Sequence, residues 1–238
     1  MYLVEYATEA DGPALAKINV QSFQGRQLLG QFFPGASLTR MQEYKAIVGM
    51  KHLANPNMHV LKVHDPTTGE LVTYSRWHLP ASFGTSVVTL SDQAAIYAKD
   101  PIPYAPKPMN ETIFKAFKKL LADARERYTT EDDMSKSPTL AGILCIIGSD
   151  SNASPVLDFI ATLPGYQGRG FGSTVLKWGT EKADAAQSRI FLEATPEGLP
   201  VYLKHGWKIL EEITIDFTSF GGEGSESFHL MMRDPVPQ

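Results

Sequence analysis

A chain of 238 residues, 43% hydrophobic and 20% charged, suits one domain with insertions or two small ones and can bury a substantial core. Its net charge of -4 offers no basic field to nucleic acid or an anionic membrane, and its single cysteine, Cys145, excludes an internal disulfide and fits a reducing compartment. The opening MYLVEYATEADG lacks the basic flank and apolar run of a secretory leader, and the longest apolar run, Ile143 to Ile147, is too short to span a bilayer. The expectation is a cytoplasmic protein with no nucleic-acid or membrane partner.

In chain order, Tyr2 to Ala7 is rich in β-favouring residues. It precedes a stretch in which Thr8 can cap and Leu15, Ile18 and Phe23 fall near helical spacing. Leu28 to Pro34 reads as a loop or a broken second helix, and Thr39 to Val48 as another helix. The run HVLKVHDPTTGELVTYSRWHL predicts a hairpin, two β-favouring stretches around a DPTTG turn. Pro101 to Pro108 is too proline-rich for a helix or a central strand. Beyond it, Ile113, Phe117, Leu120, Leu121, Ala124 and Tyr128 share one helical face behind an Asn110 cap, and TTEDDMSKSP is a polar loop. Val156 to Leu163 predicts a central strand. A glycine-rich turn then leads into a helix with a small-residue stripe through Gly179 and Ala183. Arg189 to Thr195 predicts a strand and GLPVYLKHGW a short helix ending at Gly206. KILEEITIDF and SFHLMMR follow as two further strands.

The order strand, glycine-rich turn, helix carries the functional reading. The first turn of a helix has unpaired N–H groups at a positive dipole end, and glycines let a bulky anion approach them. The Walker loop requires Gly-Lys-Ser/Thr, whereas Gly172 is followed by Ser173 without a lysine. The dinucleotide fingerprint requires a third glycine where Ser173 stands. A third pattern, Gln/Arg-x-x-Gly-x-Gly/Ala, is met by Gln167, Gly170 and Gly172.

On these residues GYQGRGFGSTVLKWG resembles the acetyl-CoA motif of the Gcn5-related N-acetyltransferase (GNAT) superfamily. The resemblance continues upstream in IATLP, similar to the strand that splays to pair with pantetheine. Downstream it runs through FLEAT to YLKHGW, where Trp207 replaces the usual phenylalanine. It is most specific from Ile160 to Trp207, and the WGTEKAD…LEATPEG phrasing is similar to uncharacterised fungal members. It implies an α/β fold with a central, mostly antiparallel sheet of about six or seven strands flanked by helices. It also implies one domain spanning residues 1–238, with an insertion around 79–140 that shapes the acceptor pocket near Trp77, His78 and the PIPYAPKP loop.

The resemblance further implies direct acetyl transfer from acetyl-CoA to a small amine in a ternary complex. The backbone of Ile160, Ala161 and Thr162 would hold the pantetheine arm. Gln167, Gly168, Arg169, Gly170, Phe171, Gly172 and Ser173 would wrap the pyrophosphate. Tyr202 matches the position of a general acid, and a phenol with a pKa near ~10 is protonated at neutral pH. Two carboxylates are candidate bases. Glu193 matches a strand position where some superfamily members carry a catalytic glutamate. Asp158, by simple strand alternation, has the parity of Ile160 and Thr162. His205 reads as solvated. No metal constellation is legible, since His52, His59, His64 and His78 fall on separate elements without ligand spacing. ATPEGLPVY is short and lacks the asparagine that many members carry ahead of the tyrosine. The competing reading is a non-catalytic acyl-CoA-binding sensor on the same scaffold, as a monomer or homodimer.

Overall fold

The computed structural model describes residues 2–128 and 155–237. The TTEDDMSKSP stretch, the run from Ile143 to Ile147, Cys145 and the end of the expected insertion lie outside the described residues.

Seven strands form one sheet in the order β1-β2-β3-β4-β5-β7-β6. They are β1 (Glu5–Tyr6), β2 (Met58–His64), β3 (Leu71–His78), β4 (Val156–Thr162), β5 (Ile190–Ala194), β6 (Lys208–Asp216) and β7 (Ser225–Arg233). Neighbours are antiparallel except β4 and β5, which are parallel. The helices are α1 (Gly12–Ser22), α2 (Leu28–Phe32), α3 (Leu38–Leu53), α4 (Asp92–Lys99), α5 (Glu111–Tyr128), α6 (Phe171–Ala185) and α7 (Leu199–Lys204). Among the described residues no helix is long and apolar enough to cross a membrane.

The sheet has cores on both faces, as strand alternation requires. Val60, Val72, Tyr74 and Ala161 pack with Leu15 and Ile18 of α1 and Met50 and Leu53 of α3. Leu61, Trp77, Leu157 and Leu192 pack with Leu176 and Ala183 of α6. Helix α3 starts where Ser37 Oγ accepts the Arg40 N–H at 3.2 Å. It runs past Val48 because Met50 and Leu53 continue its buried stripe. The stripe of small residues on α6 has a direct cause: a Cβ on Gly179 would stand 2.4 Å from the Trp77 ring. Trp77 is therefore a fully buried floor for α6 and not an acceptor-side residue.

Two irregularities in β4 shape the site. Strand β4 meets β5 at one register position, Val156 opposite Phe191, and the two strands diverge beyond it. A bulge also interrupts β3–β4 pairing, because Arg76 faces Phe159 while Trp77 faces Leu157. Asp158 is the extra residue. A bulge re-aims side chains, so Asp158 does not have the parity of Ile160 and Thr162. It joins Arg76, whose Nε donates to Oδ2 at 2.9 Å.

Candidate active site

The glycine-rich turn is built by backbone conformations that only glycine adopts without strain. Gly168 has φ 74° and Gly170, the N-cap of α6, has φ 88°. A Cβ at either position would meet nothing within 4 Å, so the requirement is conformational rather than steric. Among the described residues, no acceptor takes the N–H of any residue from Gly168 to Ser173, and the first capped turn bond is Thr174 N–H to the Gly170 carbonyl at 3.1 Å. Consecutive free amides at the positive end of a 15-residue helix form an anion-binding concavity. Gln167, Gly168, Gly170, Phe171, Gly172 and Ser173 line one large cavity. Arg169 instead lays its guanidinium over the Tyr166 ring at 5.1 Å. The Phe171 side chain is buried, stacked on Tyr2 at 4.1 Å, so its contribution to the loop is its backbone.

The cavity continues along the gap between β4 and β5. Leu163 N–H donates to the Val72 carbonyl and Ala161 sits opposite Tyr74. Antiparallel alternation then turns the backbone groups of Ala161 toward β3 and those of Ile160 and Thr162 toward the open side. The Thr162 carbonyl is taken there by Ser22 Oγ at 3.0 Å and Gln167 Nε2 at 3.1 Å. Ile160 and the Thr162 N–H remain as edge groups, the arrangement to which an extended ligand adds as a strand.

Tyr202 projects from α7 into the same cavity. Its ring packs edge-on against Trp207 at 5.9 Å, and Gly198 makes room, since a Cβ there would stand 3.1 Å from the ring. Its hydroxyl has no partner among the described residues, and burial raises its pKa above the ordinary phenol value. His205 is half-buried, not solvated: its Nε2 lies 3.0 Å from Ser173 Oγ, which ties α7 to the glycine turn. Burial, then Lys204 and Arg233, lower its pKa.

Both candidate carboxylates line the cavity, and both are ion-paired. Glu193 takes a bidentate pair from Arg125 of α5, at 2.5 Å from Nε and 2.9 Å from Nη2. Arg125 Nη2 also lies 3.9 Å from Asp158 Oδ1. Although burial alone would raise the pKa of Asp158, Arg76, His52, Arg125 and Lys118 together hold it well below the usual carboxylate range. The cavity has a volume of about 1760 Å³ and reaches from the glycine turn to an aromatic wall of Phe32, Phe114, Phe117 and Phe228. His78 and Pro101 also line it. Lys45, His52, Arg76 and Arg125 are site residues that sequence reasoning missed. For Lys45 and His52 a signal existed: they lie seven apart, on one face of a helix that the sequence reading ended too early. Among the described residues no group of three metal-binding side chains comes together.

The acetyltransferase (GNAT) family model matches residues 92–207, which span α4 through Trp207 and so include the glycine turn, the β4–β5 gap and α7. No curated protein matches the sequence. Among solved structures, a histone acetyltransferase HPA2 and related acetyltransferase from Corynebacterium glutamicum is 18% identical, with a TM-score of 0.58, over 100% of this chain and 99% of that one. A mosquito arylalkylamine N-acetyltransferase like 5b is 9% identical, with a TM-score of 0.53, over 98% of this chain and 100% of that one. Each has this fold, and the match to the GNAT acetyltransferase family model falls on the segment that builds the site.

Proposed function

We propose that the chain is an acetyl-CoA-dependent N-acetyltransferase that acetylates a small amine by direct transfer within a ternary complex. The observation that carries the reading is the row of unpartnered amides from Gly168 to Ser173, continuous through one cavity with the open edge of β4. These residues fit a coenzyme A with its diphosphate at the helix N-terminus and its pantetheine along Ile160 and Thr162.

Acetyl-CoA supplies the acetyl group as an activated thioester. The edge N–H of Ile160 or Thr162 polarises the thioester carbonyl, and one such donor is worth about 3 kcal/mol in comparable oxyanion sites. The neutral amine attacks, a C–N bond forms and the C–S bond breaks. Tyr202 gives its proton to the departing thiolate, and the proton released by the amine restores the balance through solvent. Asp158 is a poor base, because Arg76 and its cationic neighbours stabilise the ionised form. We assign proton removal to Glu193, acting through water, and to Asp158 the role of counter-ion to Arg76. Residues 79–128, whose Phe114, Phe117 and Arg125 line the cavity, form the acceptor end.

The test is release of free thiol from acetyl-CoA across a panel of amines, with CoA affinity measured in parallel. Tyr202→Phe is expected to lower turnover by at least about 100-fold while CoA affinity stays at the wild-type value. CoA binding without thiol release on any amine would favour the acyl-CoA sensor reading. Absence of CoA binding would overturn both.

A further inference from the structure

The chain as a whole is acidic, yet one wall of the cavity is cationic. Helix α3 turns Lys45, Val48, Gly49 and His52 into the cavity at helical spacing, and Arg76 joins them from β3. Arg76 already has a counter-ion in Asp158 at 2.9 Å. Lys45 has none: no described residue pairs with or hydrogen-bonds its ammonium. Burial, followed by the like charges of Arg76 and Lys118, pushes its pKa down to about 7. On the same helix face, His52 Nδ1 is buried and has no hydrogen-bond partner. An enclosed cation without a counter-ion and an orphaned polar atom are each destabilising. No structural partner in the described protein offsets either one. Their shared position on a cavity wall points to a ligand group that does.

We propose that Lys45 and His52, alongside Arg76, form a subsite for a carboxylate carried by the acceptor. Resting on the transferase reading above, this makes the acceptor an amine that bears both a carboxylate and an apolar group, the chemistry of a free apolar amino acid. A single uncompensated ammonium matches a singly charged carboxylate better than a doubly charged phosphate. The aromatic wall of Phe32, Phe114, Phe117 and Phe228 supplies the apolar surface, and rings placed there interact edge-on with one another, as Phe32 and Phe114 do at 5.3 Å.

The experiment has a binding arm and a turnover arm. With CoA saturating, titration calorimetry compares 3-phenylpropanoate with 3-phenylpropanamide. The acid is expected to bind at least about tenfold more tightly, Lys45→Met to erase the difference, and Lys45→Arg to retain most of it. Thermal denaturation controls for folding, and Lys45→Met is expected to melt no lower than wild type, because it removes an unpaired buried charge. In the turnover arm, phenylalanine is expected to exceed 2-phenylethylamine in kcat/KM by a similar factor. Equal binding of acid and amide, no binding of either, or a preference that survives Lys45→Met overturns the subsite. Preferential acid binding with no thiol release on any amine leaves the subsite standing and removes the transferase reading instead.

Discussion

Gly170 and Gly172 belong to one motif yet sit in different backbone environments, and substituting each with alanine separates conformation from packing. Gly170 has φ 88° and ψ 0°, with open space where a Cβ would stand. Gly170→Ala therefore produces no clash. Its cost is the left-handed conformation, about 1–2 kcal/mol, or roughly 2–8 °C in Tm for a chain of this size. If Gly170 relaxes toward φ below zero, the adjoining amides lose their common direction. Loss of one hydrogen bond to a charged phosphate costs about 1.5–3 kcal/mol, so CoA affinity should fall roughly 10- to 150-fold. Gly172 lies in the helix with no positive φ, and a Cβ there would rest at 3.7 Å from Thr162 Oγ1 and 3.8 Å from Ile160 Cδ1, ordinary contact. Gly172→Ala should leave CoA affinity unchanged and gain up to about 1 kcal/mol from helix propensity. Scanning calorimetry and CoA titration on both variants provide the readout. A Gly170→Ala protein that melts lower but binds CoA as tightly as wild type would refute the diphosphate cradle.

Because burial raises the Tyr202 phenol above its ordinary value, that group stays protonated across the working range. The wild-type pH–rate profile should show no alkaline limb below about pH 10 that Tyr202→Phe removes. Asp158 has a folded pKa below its unfolded value. Its stabilising contribution is therefore complete above about pH 5, begins to fall near the unfolded value of ~3.9 and is gone only once the pH drops through the lower folded pKa. Asp158→Asn should flatten the acid limb of stability measured by urea denaturation between about pH 5 and 2, and cost about 3 kcal/mol at pH 7 by stranding Arg76. Gly179→Ala forces a methyl group to within 2.4 Å of the buried Trp77 ring. It should lower stability by about 1–3 kcal/mol in a denaturant titration while CoA affinity, corrected for the folded fraction, is unchanged.

What local sequence decides was legible. DPTTG predicted the β2–β3 turn, where the Thr67 N–H donates to Asp65 Oδ1 at 2.9 Å and Gly69 takes φ 72°. The apolar face of α5 was readable because Ile113, Phe117 and Ala124 recur at helical spacing and are all buried. Helix α4 was not read, because it buries little beyond Ala94; its start is fixed by Ser91, which bonds Glu9 at 2.7 Å from 82 positions away. The parity of Asp158 was misjudged for a related reason. Alternation along one strand is a local rule, but a bulge is a property of a pair of strands, and β3 lies some eighty positions upstream. The glycine turn could be found from a motif because backbone conformation constrains residue type at adjacent positions. For Lys45 the seven-residue spacing to His52 places both on one helix face, but it does not say whether that face meets water or a cavity.

The same geometry explains why the two acids sit where they do. Val156 and Phe191 are the last residues at which β4 and β5 share register, and Asp158 and Glu193 each lie two positions beyond. They are thus the first in-phase side chains past the point where the backbone ladder fails. Parallel strands that separate lose main-chain hydrogen bonds with every further residue. Arg125 lies across that opening, bidentate to Glu193 on one strand and 3.9 Å from Asp158 on the other. A planar guanidinium with five donors is suited to this bridge in a way an ammonium is not. Side-chain charge therefore holds the two strands at the point where their backbones part, and the edge groups of Ile160 and Thr162 stay open further along. The helix that carries Arg125 also carries Phe114 and Phe117 of the aromatic wall.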